Sequence, residues 1–183
     1  MTFAQWIRAK LERVEIALEN YLPGTDVAPA KLHEAMRYAV LGGGKRVLPL
    51  LCHGTGELVG AGSHGLEVAS VSLEFIHTYS LVHDDMPAMD DAVLRRGRPT
   101  VHVRYDEATA LLVGDALQSQ AFIALTANDN GLSPEQQAAV VRELARASGS
   151  TGMAGGQAID LASIGRKLSR NELETMHRKK TAP

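Results

Sequence analysis

What this chain has little of narrows it first. Only one of its 183 residues is cysteine, Cys52, so no disulfide can form within the chain; a lone thiol suits a reducing compartment, and the cytoplasm is the expected location. Aromatic residues make up 4%, which leaves Leu, Val, Ile, Ala and Met to fill the interior. Neither sign of charge dominates. The formal net charge is -2, too small to draw the whole molecule to nucleic acid or to an anionic membrane. Positive charge for an anionic ligand would have to be gathered locally. The sequence shows no apolar run of membrane-spanning length, and Met1 to Trp6 lack the basic-then-apolar order of a secretory signal. Nucleic-acid binding and stable membrane insertion are therefore not expected.

Strand alternation is also missing, and helical periodicity fills its place. Ile7, Lys10, Leu11, Val14, Leu18 and Tyr21 follow three- and four-residue steps. Thr2 with Gln5 is placed to form a capping box ahead of them, and Pro23-Gly24 ends the segment. A second helix is predicted from Pro29 to the glycines 42–44, carrying Leu32, Ala35, Met36, Ala39 and Val40. The run from Leu66 to Met86 contains no Gly or Pro, carries Leu66, Ala69, Leu73, Ile76 and Leu81, and is closed by Pro87. Further helices are predicted from Asp106 to Ala127, from the Ser133-Pro134-Glu135-Gln136 start signal, and from Ser169 to about Lys180. Val101-His102-Val103 is too short to count as a strand. No repeat or linker interrupts the pattern, so residues 1–183 read as one all-α unit.

Three clusters carry chemistry. The first is His83-Asp84-Asp85-Met86-Pro87-Ala88-Met89-Asp90-Asp91, with four carboxylates in eight positions at the end of an apolar helix. A solvated loop explains Asp90 and Asp91, but Asp84 and Asp85 oppose the helix dipole, at about 0.3–1 kcal/mol each. A bound cation offsets that cost, and oxygen-only donors select a hard ion such as Mg²⁺, which binds through few carboxylates together with substrate phosphates. The second cluster is Arg95-Arg96-Gly97-Arg98-Pro99-Thr100. A basic run alone is usually solvated surface; one loop away from the acidic cluster, it makes a composite diphosphate grip. The third is Gly42-Gly43-Gly44-Lys45-Arg46. It lacks the spacing of a P-loop. A helix C-cap with basic residues at the dipole's negative end and a second anion pocket are both open readings.

These motifs together resemble the trans-isoprenyl diphosphate synthase family, in its bacterial farnesyl diphosphate synthase form. The resemblance runs from Leu11 to Thr181. It is carried above all by Leu81 to Asp91 followed by Leu94-Arg95-Arg96-Gly97-Arg98-Pro99-Thr100, the family's first aspartate-rich motif. Gly114-Asp115-Ala116-Leu117, Gly156-Gln157-Ala158-Ile159-Asp160-Leu161 and His177-Arg178-Lys179-Lys180-Thr181 match further family blocks in order. It implies an all-α, isoprenoid synthase-type helical bundle around a central cavity, with the C-terminal helices missing. It also implies a homodimeric prenyltransferase that condenses an allylic diphosphate (dimethylallyl or geranyl) with isopentenyl diphosphate to give farnesyl diphosphate.

By resemblance Asp84, Asp85 and Asp90 hold Mg²⁺ against the allylic diphosphate, which Arg95 also contacts. Lys45, His77 and Arg96 bind isopentenyl diphosphate. His77 lies seven residues before Asp84 and shares its helix face. Gln157 and Asp160 line the allylic pocket, Lys180 reaches the departing diphosphate, and Asp115 is a structural helix residue. Tyr79 lies five residues before Asp84, about 7.5 Å deeper at roughly 1.5 Å per residue. The resemblance makes it a floor that favours a fifteen-carbon product; spacing alone allows a packed core tyrosine equally.

The chain departs from the family twice. Lys45-Arg46-Val47-Leu48-Pro49 has Leu48 where the family has an arginine on isopentenyl diphosphate, with Arg46 as a partial substitute. No second aspartate-rich helix follows Asp160; the chain ends at Pro183, whereas a complete helical domain of this kind continues for roughly a hundred residues more. Ala182-Pro183 also stands where the family has glycine after Lys-Thr. On this reading the chain holds half a metal site and is expected to be inactive by itself. Two rival readings are a non-catalytic partner or remnant of a full-length synthase, and a class I terpene cyclase. Lys45, His77 and the arginine pair imply two diphosphates and favour chain elongation over the cyclase.

Overall fold

The structure is a computed structural model that describes residues 1–181; the Ala182-Pro183 departure lies outside the described residues. The chain forms two compact units, Met1–Leu132 and Ser133–Pro183. The first is built from α1 (Phe3–Tyr21), α2 (Ala30–Val40), α3 (Val47–Leu58), α4 (Ser63–Asp84), a hairpin of β1 (Leu94–Arg95) and β2 (Arg98–Pro99), α5 (Val101–Arg104) and α6 (Glu107–Leu125). The second comprises α7 (Pro134–Ser148), α8 (Met153–Ala162) and α9 (Arg170–Thr181).

Helix starts follow local chemistry. Thr2 and Gln5 form the reciprocal capping box of α1, and Ser133 and Gln136 form that of α7 with Pro134 in its first turn. Asp106 caps α6 by accepting from the Thr109 N–H at 2.6 Å. Ser169 and Glu172 exchange the same pair of bonds at the start of α9.

The core of the first unit is α4. Val68, Val71 and Phe75 are fully buried, and Ile76 and Val82 nearly so. They meet Val14 and Leu18 of α1 and Val113, Leu117 and Ala121 of α6, all fully excluded from solvent. The stripe predicted for α4 is only partly the buried one: Leu66 and Ile76 are buried, whereas Ala69, Leu73 and Leu81 are half-exposed. With α1, α3 and α6 all packed against it, α4 is enclosed on most sides and loses a single apolar face.

Three further points go beyond the sequence expectation. Val101–Arg104 is a helical turn, α5. Helix α3 arises in a stretch rich in glycine and proline. And α6, at 19 residues, is long and apolar enough to cross a bilayer by length and composition alone, although Val113, Leu117 and Ala121 pack on α4 as a core helix does.

Candidate active site

α4 ends at Asp84, with Asp85 as its C-cap. The chain then folds back on itself. The Asp90 N–H donates to the Asp84 carbonyl at 2.8 Å, and the Ala92 N–H to the Asp85 carbonyl at 3.1 Å. Asp84 and Asp90, six residues apart, thereby meet in one turn. Asp84 is half-buried, Asp85 buried, and Asp90 and Asp91 exposed.

The arginines follow as a two-stranded hairpin in which Leu94 pairs with Pro99 and Arg95 with Arg98. Its two central residues, Arg96 and Gly97, have φ of 52° and 75°, the positive pair that lets a tight turn match strand twist. Arg95 donates from Nε and Nη2 to the two oxygens of Asp85, each at 2.7 Å. This planar fork is the strong form of the ion pair. Asp85's hydrogen bonds, with the charges of Asp85, Asp84 and Asp90 behind them, raise the Arg95 pKa above the ordinary guanidinium value against the cost of burial. Acidic turn and arginine hairpin face one another.

Asp85 was expected beside Asp84 and Asp90 on a metal; in this structure the residue is 3% exposed, and both its carboxylate oxygens accept from Arg95 and anchor the hairpin. Among the described residues no three acidic, His or Cys side chains are grouped to enclose an ion. Asp84 and Asp90 fit Mg²⁺ as two oxygen donors for an ion whose remaining positions go to water and phosphate oxygens.

The glycine loop joins this assembly. Arg96 donates from Nη1 to the Gly43 carbonyl, and a side chain at Gly44 (φ 157°) would run into the same guanidinium. The Gly44 φ is one that residues with a side chain rarely adopt. Lys45 is exposed.

Arg46, expected to help bind substrate, is engaged in ion pairs in this structure. It is 2% exposed, and its donors go to Glu15 (2.6 and 3.1 Å), Glu74 (2.7 Å) and the Val40 carbonyl (2.9 Å). It is a buried ion-pair residue. Leu48 is 36% exposed at the start of α3. Burial pushes the His77 pKa below the usual histidine value, Glu74 opposes this, and Arg96, Arg95 and Arg46 add to it.

Tyr79 is half-buried and meets the His83 ring edge-on, centroids 5.9 Å apart. Burial raises its pKa, with a hydrogen bond to Gln118 of α6 opposing. In the second unit, the Lys180 Nζ reaches Asp160 Oδ2 at 2.7 Å. Gly156 lets α8 touch α9, since a Cβ there would lie 2.6 Å from the Lys180 Cα. Gln157 lies on the same helix as Asp160, three residues earlier.

Comparison with known proteins now decides the family. The sequence model described as polyprenyl synthetase matches residues 29–183. The chain belongs to that family. Within the polyprenyl synthetases it is 48% identical to a farnesyl diphosphate synthase of Haemophilus influenzae over 179 residues, 98% of this chain and 60% of the relative. It is 42% identical to a farnesyl diphosphate synthase of Escherichia coli, over 99% of this chain and 61% of that one. The crystal structure of an FPP/GFPP synthase from Zymomonas mobilis superposes with a TM-score of 0.92 at 39% identity, covering 97% of this chain and 65% of that one. The chain thus spans about three-fifths of the length of the curated relatives it matches. Its all-α architecture is that of the isoprenoid synthases.

Sequence reasoning missed several residues of this polyprenyl synthetase site. Tyr38 of α2 lies under Arg98, and the two border a small cleft of about 60 Å³ together with Thr78, Asp85, Arg95 and Arg96. Glu74 is the buried partner of Arg46. Its signal was in plain view: a carboxylate among Val71, Leu73, Phe75 and Ile76 cannot stay buried without a cation.

Proposed function

We propose that this chain supplies the acidic-turn and arginine-hairpin half of a prenyltransferase site, which joins an allylic diphosphate to isopentenyl diphosphate and favours farnesyl diphosphate as product. The observation that carries this reading is the Asp85–Arg95 fork, because it ties the carboxylates at the end of α4 to a dense group of guanidiniums. The match of residues 29–183 to the polyprenyl synthetase family supports it.

Asp84 and Asp90 are the residues that would hold Mg²⁺. When bound, that ion neutralises charge on the leaving diphosphate. Arg95, locked by Asp85, keeps its remaining N–H groups for the allylic diphosphate, and Arg96, Lys45 and His77 receive the diphosphate of isopentenyl diphosphate. In the second unit Asp160 steadies the Lys180 ammonium; the family resemblance assigns Lys180 to the departing diphosphate and Gln157 to the allylic side. As the allylic C–O bond breaks, these cations offset the charge left on oxygen. The isopentenyl double bond attacks the cationic carbon, and loss of a proton from the adjacent carbon restores a double bond. Tyr79 limits the depth of the apolar pocket that keeps water from the cation. The reading places the chain in one all-α domain of a cytoplasmic homodimer. The lone cysteine supports the compartment, and Leu111, Leu112 and Ile123, about half-exposed on α6, support the apolar contact.

The test is direct. Purified protein with Mg²⁺, geranyl diphosphate and isopentenyl diphosphate is expected to bind both diphosphates with little or no turnover by itself; a fifteen-carbon product would place the whole reaction on this chain. Failure to bind either diphosphate contradicts the reading. Binding without turnover, together with tight association with a complete synthase, favours the non-catalytic partner instead.

A further inference from the structure

The hairpin presents three guanidiniums in four positions, Arg95, Arg96 and Arg98, and Asp85 forks only one of them. Arg96 also carries a left-handed backbone, φ 52°, a conformation that costs a non-glycine residue free energy and persists only when its surroundings hold it. Two-residue strands cannot supply that hold alone.

Tyr38 supplies it from α2. Its ring face lies 4.2 Å from the Arg98 Cζ, and its hydroxyl donates to the Pro99 carbonyl at 2.7 Å. One side chain thus grips both residues of β2. The ring is itself fixed: Tyr105 meets it edge-on at 5.7 Å, and the Tyr105 hydroxyl donates to Glu34 at 3.0 Å. Because Arg98 pairs with Arg95 and Pro99 with Leu94, holding β2 sets the place of Arg95 on Asp85. It also sets the turn from which Arg96 reaches Gly43. The ring does a second job. Among the described residues Arg98 has no carboxylate partner, and the aromatic face keeps it from competing with Arg95 for Asp85.

We propose that Tyr38 is a positioning residue: through Arg98 and Pro99 it holds the Arg95–Arg96 hairpin in the form that receives a diphosphate, without touching the ligand. The proposal rests on the diphosphate reading above.

Two variants separate its two contacts. Tyr38→Phe keeps the ring face and loses the hydroxyl; Tyr38→Leu loses both. Each is measured in two ways, by amide hydrogen exchange over residues 93–100 and by affinity for inorganic pyrophosphate with Mg²⁺. Faster exchange confined to that segment is expected in both variants, greater for Tyr38→Leu. Pyrophosphate affinity should fall about two- to fivefold for Tyr38→Phe and about five- to thirtyfold for Tyr38→Leu. If Tyr38→Leu does not fold, Tyr38→Phe decides alone. Exchange that rises while affinity holds makes Tyr38 a packing residue only and overturns the proposal, as does unchanged exchange. In both cases wild-type binding remains and the diphosphate reading stands. Wild-type protein that takes up no pyrophosphate removes that reading and the positioning role with it.

Discussion

Arg46 and Arg96 share a guanidinium and a left-handed backbone, with φ of 47° and 52°, yet they end in opposite environments. Arg46 is enclosed by Glu15 and Glu74, whereas Arg96 is exposed over the glycine loop. Both lie in basic clusters that suggest anion binding, so what separates them is a partner far away in sequence. Removing one member of a buried pair leaves the other charge stranded. Arg46→Met is therefore expected to cost about 3–5 kcal/mol in urea denaturation, and Arg96→Met much less; equal small losses would contradict the buried Arg46–Glu74 pair. Leu48 is the converse case. Its departure from the family pattern was legible directly, and its exposure leaves room for a longer side chain. In a full-length context, Leu48→Arg is expected to lower the KM for isopentenyl diphosphate roughly tenfold, the scale of one charge-assisted hydrogen bond. An unchanged KM would mean that no phosphate reaches that position.

At the scale of elements, the helices that were legible were those whose signals are local: capping boxes at Thr2 and Ser133, and proline or glycine at ends. α3 was not legible because Pro49, Gly54 and Gly56 read as breakers. Pro49 occupies the first turn, where its missing N–H costs nothing. A Cβ at Gly54 would lie in ordinary contact with the Trp6 ring, whereas one at Gly56 would overlap Leu66. Gly56 thus serves close packing between α3 and α4, which no local pattern reveals. Gly156 does the same between α8 and α9. Gly156→Ala is expected to separate these helices and loosen the Asp160–Lys180 pair, read as a loss of thermal stability and faster exchange in α9. Unaltered exchange there would show that the contact gives way without cost.

For the whole molecule, the all-α class and the acidic and basic blocks were readable because each block is contiguous. The fork of Asp85 on Arg95, the loss of Arg46 to the core and the Tyr38 grip were not, because each depends on segments that only folding brings together. Two histidines also link the fold to pH. His53 is 1% exposed with neither ring nitrogen hydrogen-bonded. Burial pushes its pKa down; Lys10 and Arg13 of α1 add to this, and Glu57 of α3 and Glu67 of α4 oppose it. His77 is lowered likewise. Below the unfolded histidine value of about 6.5 the unfolded chain binds protons that the folded one resists, so stability falls with pH. Urea midpoints should therefore drop from pH 7 to pH 5, and His53→Leu should flatten part of that slope. A variant with the wild-type slope would remove His53 from the account.

The central claim, that the acidic turn and the arginine hairpin together hold a magnesium-bridged diphosphate, is tested most directly by calorimetric titration of inorganic pyrophosphate into the protein with and without Mg²⁺. The account predicts uptake only with the metal, weakened by Asp84→Asn and Asp90→Asn on the acidic side and by Arg96→Ala on the basic side. Uptake that is the same in the presence of a chelator, or that is indifferent to all three substitutions, would contradict it.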